Sequence, residues 1–235
     1  VIVAEPSASI ADREKPFVVV DAEGKTIAEY RFANEALAAP QNGIIEVHGN
    51  GPFKLGQVRR DGGSLHIRAG KGYRPRFVVG FEMPEPNRAT PWFDLTNVNL
   101  SVEGCDFHGA AGFMFSQFVG TGGRWKLSHC RLIQPPTESG VVASFSGDVF
   151  AVENSLLFNS SPTSGLLHLH EIRELSLSGN ILIGQIYLPQ GTDQTLKLNA
   201  NVLFSAQIFL VEPQKNAERL TIEATDNHFF PPFSA

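Results

Sequence analysis

Apolar and polar residues alternate in the same order in six segments of the second half of the chain. Each segment runs apolar, any, apolar, two of any kind, one small or amide residue, any, and apolar. The copies begin 21 to 25 residues apart, at Leu100, Trp125, Phe150, Leu175, Leu196 and, less regularly, Leu220. The segment that begins at Leu65 fits the same frame. So regular a period indicates a solenoid, in which each repeat is one coil stacked on the next.

Two kinds of solenoid have coils of this size. A leucine-rich repeat needs Leu or a similar large aliphatic residue three positions before the first apolar residue of each copy, and among the six copies only Ile172 meets this requirement. The rest of each coil holds short β-rich segments bounded by Gly, Pro, Ser or Asn, at 113–115, 141–145, 166–170, 185–188 and 208–211. Such segments are typical of strands. We therefore predict an all-β fold, a single-stranded parallel β-helix with two or three strands per coil, which by the usual crossover rule is right-handed.

Alternation along the strands assigns their faces. Leu100 and Val102 are expected to point inward, with Ser101 and Glu103 outward, and the other copies follow suit. The small or amide position falls in a turn, where side chains of successive coils can stack and bond open backbone groups. Its members are Cys105, Cys130, Ser155, Asn180, Asn201 and Thr225.

The open ends of a β-helix need cover, because unpaired strand edges invite aggregation. Segments 17–20 and 26–31 predict a hairpin, and 32–39 predict a short amphipathic helix before Pro40. We expect a linker or frayed terminus at 1–15, the hairpin and helix cap at 16–43, and the β-helix at 44–235, as one domain. Phe229, Phe230 and Phe233 are candidates to shield the last coil.

The composition excludes several classes of protein. The chain has 19 Lys and Arg against 24 Asp and Glu, a net charge of −5, and only 18% of its residues are charged. It is too apolar for a disordered chain and too acidic to bind nucleic acid by neutralising phosphates. No apolar run approaches the roughly 20 residues of a membrane helix, so we expect no membrane insertion. The sequence has no initiator Met and no signal segment, so we expect this chain to be part of a larger protein. We favour an extracytoplasmic or envelope localisation.

The cap helix, the run at 43–53 and the segment at 65–75 resemble the entry of pectin-lyase-like right-handed parallel β-helix proteins. The likeness is closest to β-helix modules of large bacterial multidomain proteins, some of which also carry kinase domains, and covers about residues 15–230. The resemblance implies the fold, but members range from polysaccharide lyases and glycoside hydrolases to adhesins and non-catalytic modules.

The family's catalytic patterns have no counterpart here. Its lyases use carboxylate clusters that hold calcium with a basic Arg or Lys, and its hydrolases gather several Asp on neighbouring coils. We therefore predict a non-catalytic binding or structural module of a bacterial surface or envelope protein, without a cofactor, and with polysaccharide as the expected ligand class. The alternatives are a carbohydrate-active enzyme, either lyase or hydrolase, and a scaffold that docks a protein surface.

Two carboxylates are weak catalytic candidates. Glu103, Ser128 and Glu153 share an outward column on successive coils, so the glutamates should lie about 9.6 Å apart. That is the far edge of the roughly 6.5–9.5 Å used by inverting glycosidases. Lys126 and Arg131 nearby favour ordinary surface ion pairs instead.

His168 and His170 are weak candidates for ligand or metal binding, and Tyr187 is a weak candidate for ligand binding. Two residues apart on a strand, they share its outward face, with Ser144 expected one coil back and Tyr187 one coil forward. Two imidazoles near a carboxylate could hold a transition metal. The repeat places no third ligand, so a metal site is not favoured.

The Pro-rich insertion at 82–91 predicts an irregular loop, and loops often carry binding residues. Trp92 follows it, and Tyr73, Arg74 and Arg76 precede it, which makes these four residues weak ligand-binding candidates. Trp125, in contrast, begins a repeat strand and should face the core.

Cys105 and Cys130 occupy the same position of adjacent coils. Their Cα atoms should be about 4.8 Å apart, inside the roughly 4.4–6.8 Å range of disulfides. We favour two buried free thiols, and a disulfide stays open.

Overall fold

Parallel strands account for most of the described chain. The structure is a computed structural model and describes residues 12–39, 43–79, 91–109, 117–135, 141–160, 165–189, 194–204, 208–211 and 220–230. It opens with a hairpin and a helix, β1 (Phe17–Val20), β2 (Thr26–Tyr30) and α1 (Ala33–Ala38). The next strands are β3 (Ile44–Val47), β4 (Phe53–Leu55), β5 (Val58–Asp61), β6 (Ser64–Ala69), β7 (Arg76–Val79), β8 (Phe93–Thr96), β9 (Asn99–Glu103), β10 (Asp106–His108), β11 (Phe118–Thr121), β12 (Arg124–Ser128), β13 (Arg131–Gln134) and β14 (Ala143–Ser146). The last are β15 (Val149–Glu153), β16 (Leu156–Asn159), β17 (Gly165–His170), β18 (Glu174–Ser178), β19 (Ile181–Ile183), β20 (Gln185–Pro189), β21 (Gln194–Asn199), β22 (Val202–Phe204), β23 (Ile208–Val211), β24 (Leu220–Thr225) and β25 (His228–Phe230).

These strands form three sheets. Sheet 1 has the order β2-β1-β3-β6-β9-β12-β15-β18-β21-β24, sheet 2 the order β4-β7-β10-β13-β16-β19-β22-β25, and sheet 3 the order β5-β8-β11-β14-β17-β20-β23. From β3 onward, each strand pairs in parallel with its equivalents on the neighbouring coils. The predicted parallel β-solenoid is confirmed, and its complete coils contribute one strand to each sheet. The predicted strand at 113–115 lies outside the described residues.

The predicted hairpin and helix are also confirmed. β1 pairs antiparallel with β2 and, on its other side, antiparallel with β3 of the first coil. The hairpin therefore extends sheet 1, a connection that the sequence did not predict. α1 packs against β1, β2, β4 and β5 and buries Ala33, Ala36 and Leu37. No helix in the described part of the chain is long and apolar enough to cross a membrane.

The core consists of inward columns that run from coil to coil. In sheet 1 one column is made of aligned, buried residues, Leu65, Leu100, Trp125, Phe150, Leu175 and Leu196. In the other sheets, aromatic rings stack between neighbouring coils, with centroids 5.1 Å apart for Phe77 and Phe107 and 4.8 Å apart for Phe93 and Phe118. The inward position predicted for Trp125 is confirmed, since the side chain is 1% exposed. Stacked columns thus account for much of the high Phe content.

A ladder of side chains joins the turns between sheets 1 and 2. Its bonds run from one backbone N–H to the next side chain, Cys130 to Ser155 (3.0 Å), Ser155 to Asn180 (2.9 Å), Asn180 to Asn201 (3.0 Å) and Asn201 to Asn227 (3.0 Å). The last member is therefore Asn227, and the prediction of Thr225 was wrong. Leu196 pairs with Ile222 instead of Leu220, so the last copy begins two residues later than its first apolar residue suggested.

The C-terminal phenylalanines also differ from the prediction. Phe229 and Phe230 belong to β25, which pairs with β22, and are 60% and 47% exposed. They are part of the last described coil and do not cover it, because backbone pairing holds them in its plane. Phe233 lies outside the described residues.

Candidate functional site

The outward face of sheet 3 carries a row of polar and aromatic side chains on three adjacent coils. Ser144 of β14 pairs with His168 of β17, and His168 pairs with Tyr187 of β20. The three side chains are partly exposed, and their strand neighbours, Ala143, Phe145, Leu167, Leu169, Ile186 and Leu188, are buried. The neighbours predicted for His168 are therefore confirmed. We call Ser144, His168 and Tyr187 the sheet 3 row.

His168 and Tyr187 are in direct ring contact. Their centroids lie 4.6 Å apart and the planes are almost perpendicular, at 86°. The Tyr187 hydroxyl and the Gln185 side-chain oxygen, from the same strand, form a hydrogen bond. The contact holds the two rings in a fixed relation at the protein surface.

Gly165 provides the seat for the His168 imidazole. A Cβ at position 165 would overlap the ring, so only glycine leaves room for the observed orientation. The Gly165 carbonyl accepts a hydrogen bond of 2.9 Å from the side-chain amide of buried Asn159. Pairing with β20 skips Leu166, which makes a bulge between Gly165 and Leu167. A bulge changes the direction of the side chains beside it, and this bulge lies next to Gly165 and two residues before His168.

The electrostatic environment favours a neutral His168. Burial lowers the pKa of this imidazole below its ordinary value of 6.5, and the nearby His170 lowers it further. A neutral imidazole offers one donor and one acceptor at neutral pH. His170 is exposed on the same strand. Within the described residues, no group of three or more His, Cys, Asp or Glu side chains could hold a metal ion.

Comparisons with protein-family models, curated proteins and solved structures find no match for this chain. The parallel β-solenoid thus stands on the strand pairing itself. The resemblance to pectin-lyase-like proteins has no support beyond the residues that carry it.

Trp92 is not a surface platform, contrary to the prediction. The indole is 0% exposed and lies 6.1 Å, centroid to centroid, from the core ring of Phe107. A large apolar side chain is more stable inside the solenoid than on its surface, even next to an insertion. Residues 82–90 of that insertion lie outside the described residues.

Arg74 also has a different role from the one predicted. Its guanidinium pairs with both carboxylate oxygens of Asp106, with Nη2–Oδ1 at 2.7 Å and Nε–Oδ2 at 3.1 Å, and Nη2 donates to the His129 carbonyl at 3.3 Å. Arg131 lies 3.8 Å from the same carboxylate. Asp106 is only 6% exposed. Arg74 thus compensates a buried carboxylate, and a buried charge without such a partner would be costly.

The other two residues near the insertion lie apart from the sheet 3 row. Arg76 is exposed at the start of β7 in sheet 2, in register with Asp106. Tyr73 is half-buried, with its ring 5.8 Å from that of His48. The structure therefore divides the predicted ligand-binding residues between the core, the sheet 2 side and sheet 3.

The carboxylate column lies on sheet 1. Ser128 pairs with Glu103 on one side and with Glu153 on the other, as predicted. Ser128 is only 8% exposed, because its short side chain lies between the two longer glutamates. Lys126 binds Glu153 at 2.8 Å, and both side chains are partly exposed. The contact is a surface ion pair, as the charge pattern predicted.

The sequence interpretation missed a polar network on the first two coils. Glu46 accepts hydrogen bonds from Arg68, at 2.8 Å from Nε, and contacts the His48 ring nitrogen at 3.0 Å. Burial opposes ionisation of Glu46, but the bonds from Arg68 and His48 outweigh it, so its pKa lies below the ordinary value. The register between β3 and β6 places Glu46 opposite Arg68, and aligning the first coil with the repeat would have revealed this pair.

Neither cysteine is placed for nucleophilic chemistry. Cys105 and Cys130 are free and buried. Burial raises the pKa of Cys130 to about 12 and that of Cys105 well above 9.0. Only the thiolate is a strong nucleophile, so both thiols are inert in the folded chain.

Proposed function

We propose that this solenoid is a non-catalytic module that binds polysaccharide along the outward face of sheet 3. In keeping with the resemblance to pectin-lyase-like proteins, we further propose that it serves a larger bacterial surface or envelope protein. The observation that carries the proposal is the sheet 3 row.

The row offers the groups that a sugar needs. Tyr187 and His168 supply ring surface for the apolar face of a sugar, and aromatic side chains with a polar end suit such half-wet contacts. The Ser144 hydroxyl and the imidazole supply hydrogen-bond donors and acceptors. Because equivalent strands are about 4.8 Å apart, the row extends about 9.6 Å along the solenoid axis. An extended polymer lying along this axis would meet one such side chain per coil.

The positions of the carboxylates support binding without turnover. Glu103 and Glu153 belong to sheet 1, whereas the row belongs to sheet 3. One carboxylate oxygen of Glu153 is bound by Lys126, at 2.8 Å from its Nζ, in a surface ion pair.

Affinity electrophoresis through gels that contain single polysaccharides tests the proposal. The chain should be retarded by at least one polymer, and Tyr187→Ala and His168→Ala should each weaken binding about tenfold, which corresponds to about 1.4 kcal/mol. His66→Ala is the matched control, since His66 is exposed on sheet 1. Retardation by no polymer, or equal retardation of the Tyr187 variant, would overturn the proposal.

The enzyme alternative has its own test. The same polymers are incubated with the chain, and new reducing ends and unsaturated products are measured. We expect neither product. Turnover that Glu103→Gln abolishes would contradict the non-catalytic assignment.

A further inference from the structure

We infer that the sheet 3 row accepts an uncharged sugar in preference to an acidic one, and that Gly165 is the positioning residue of this subsite. The inference rests on the proposed function and names its ligand class. Neither the composition nor the resemblance suggested it.

The first argument is the lack of charged side chains on the outward face of the strands that carry and flank the row. On strands β11, β14, β17 and β20 the outward side chains are Val119, Thr121, Ser144, Ser146, His168, His170, Gln185 and Tyr187, none of which is Lys, Arg, Asp or Glu. Two ion pairs flank these strands, Asp148 with Arg173 at 3.0 Å in the turns after β14 and β17, and Arg59 with Asp94 at 3.5 Å on β5 and β8. Exposed Glu171, directly after β17, adds negative charge.

An acidic sugar needs a different surface. Carboxylate and sulfate groups are bound by Arg and Lys, whose charge-assisted bonds are about twice as strong as neutral ones. The described row supplies none of these side chains, and its imidazole is held in the neutral form by burial and by His170. Hydroxyl groups, in contrast, match the serine, tyrosine and neutral imidazole in both donors and acceptors.

The second argument is that three features of the surrounding structure hold His168 in place. Gly165 leaves room for the ring, Asn159 holds the Gly165 carbonyl, and the Leu166 bulge sets the angle of the strand. A Cβ at position 165 would displace the imidazole from its edge-on contact with Tyr187. Gly165 therefore acts on the ligand through His168. A binding group needs supporting residues that fix its orientation, and Gly165 is one of them for this imidazole.

Isothermal titration calorimetry with hexasaccharides tests both parts. Uncharged probes made of glucose, mannose or xylose are compared with galacturonate and glucuronate probes of equal length. We expect at least one uncharged probe to bind at least tenfold more tightly than either acidic one, with no loss at higher salt. Preferential binding of an acidic probe that Tyr187→Ala abolishes would overturn this inference and leave the proposed function intact. Binding of neither set would overturn both.

The role of Gly165 is tested by a double-mutant cycle. Gly165→Ala and His168→Ala should each weaken binding about tenfold, and the double variant should be no weaker than His168→Ala, because both changes remove the same contact. The NMR signals of the imidazole should shift in Gly165→Ala, and its thermal unfolding shows whether the fold is retained. Wild-type affinity in Gly165→Ala, or fully additive losses, would overturn the positioning role.

Discussion

Replacing Asn180 with alanine removes only a small side chain, but it should destabilise the solenoid strongly because that side chain makes several buried hydrogen bonds. The side chain is 1% exposed and serves two coils at once. Its oxygen accepts the Ser155 N–H at 2.9 Å, and its amide donates to the Val152 carbonyl at 2.8 Å and to the Asn201 side chain at 3.0 Å. Alanine leaves the Ser155 N–H without this acceptor and the Val152 carbonyl without this donor.

The expected loss follows from these two backbone groups. A buried polar group that loses its partner costs about 1–3 kcal/mol, so the variant should lose about 2–6 kcal/mol of unfolding free energy. The Asn201 oxygen keeps the Asn180 backbone N–H at 3.0 Å and adds little to the loss. A domain is typically stable by about 5–15 kcal/mol, so the effect should be large and measurable.

Urea denaturation followed by far-ultraviolet circular dichroism measures the loss. Asn199→Ala is the control, because Asn199 ends the next strand of the same sheet, is exposed, and its side-chain oxygen accepts a hydrogen bond from the exposed Thr225 hydroxyl. It should change stability by about 0.5 kcal/mol or less. Solenoids can lose coils separately, so hydrogen exchange of β15, β18 and β21 should show the same ranking. A loss below about 1 kcal/mol for Asn180→Ala, or equal losses for both variants, would refute the ladder's role.

The remaining predictions concern the two cysteines, His168 and Trp92. A thiol reagent should find no reactive cysteine in the native chain, because burial raises the pKa of Cys130 to about 12 and that of Cys105 well above 9.0. After denaturation the reagent should titrate two thiols, and fewer than two would indicate a disulfide. NMR titration should give His168 a pKa below 6.5, and His170→Ala should raise it by removing a neighbouring positive charge; an unchanged value would contradict this coupling. Since the folded state then binds the His168 proton less readily than the unfolded state, its contribution to stability should fall as the pH drops through 6.5. Trp92→Ala should cost about 3–5 kcal/mol of unfolding free energy, and a cost below about 1 kcal/mol would argue for a surface indole.

The fold could be predicted because the length of one coil appears as a period in the amino-acid sequence. Side chains alternate along strands, and equivalent residues stack at a fixed spacing, so the position of Leu100 predicted those of Trp125 and Phe150. The prediction failed where two registers fit equally well by apolar pattern. Leu220 and Ile222 both start an alternating segment, and only strand pairing decides between them.

The insertion at 82–91 limited the prediction of pairs across coils. Arg74 and Asp106 are 32 residues apart, and the insertion between them breaks the period that would align them. Burial of Trp92 depends on its packing against Phe107, which no local pattern reveals. Arg74 and Trp92 were therefore assigned to a binding surface on sequence proximity alone.

The candidate site was predictable in part. The period placed Ser144, His168 and Tyr187 in one row, because all three belong to the same strand position. The seat at Gly165 was not predictable, since a bulge shifts one strand against its partner by a single residue without changing the alternating pattern.

Hydroxyl-radical footprinting of the chain, with and without the polysaccharide that retards it, tests the central claim most directly. Oxidation of a side chain reports its accessibility to solvent. Binding along sheet 3 predicts that oxidation of His168 and Tyr187 falls several-fold in the complex, whereas oxidation of His66 on sheet 1 stays the same. Protection of His66 with unchanged oxidation of His168 and Tyr187 would place the ligand elsewhere and contradict the proposed binding face.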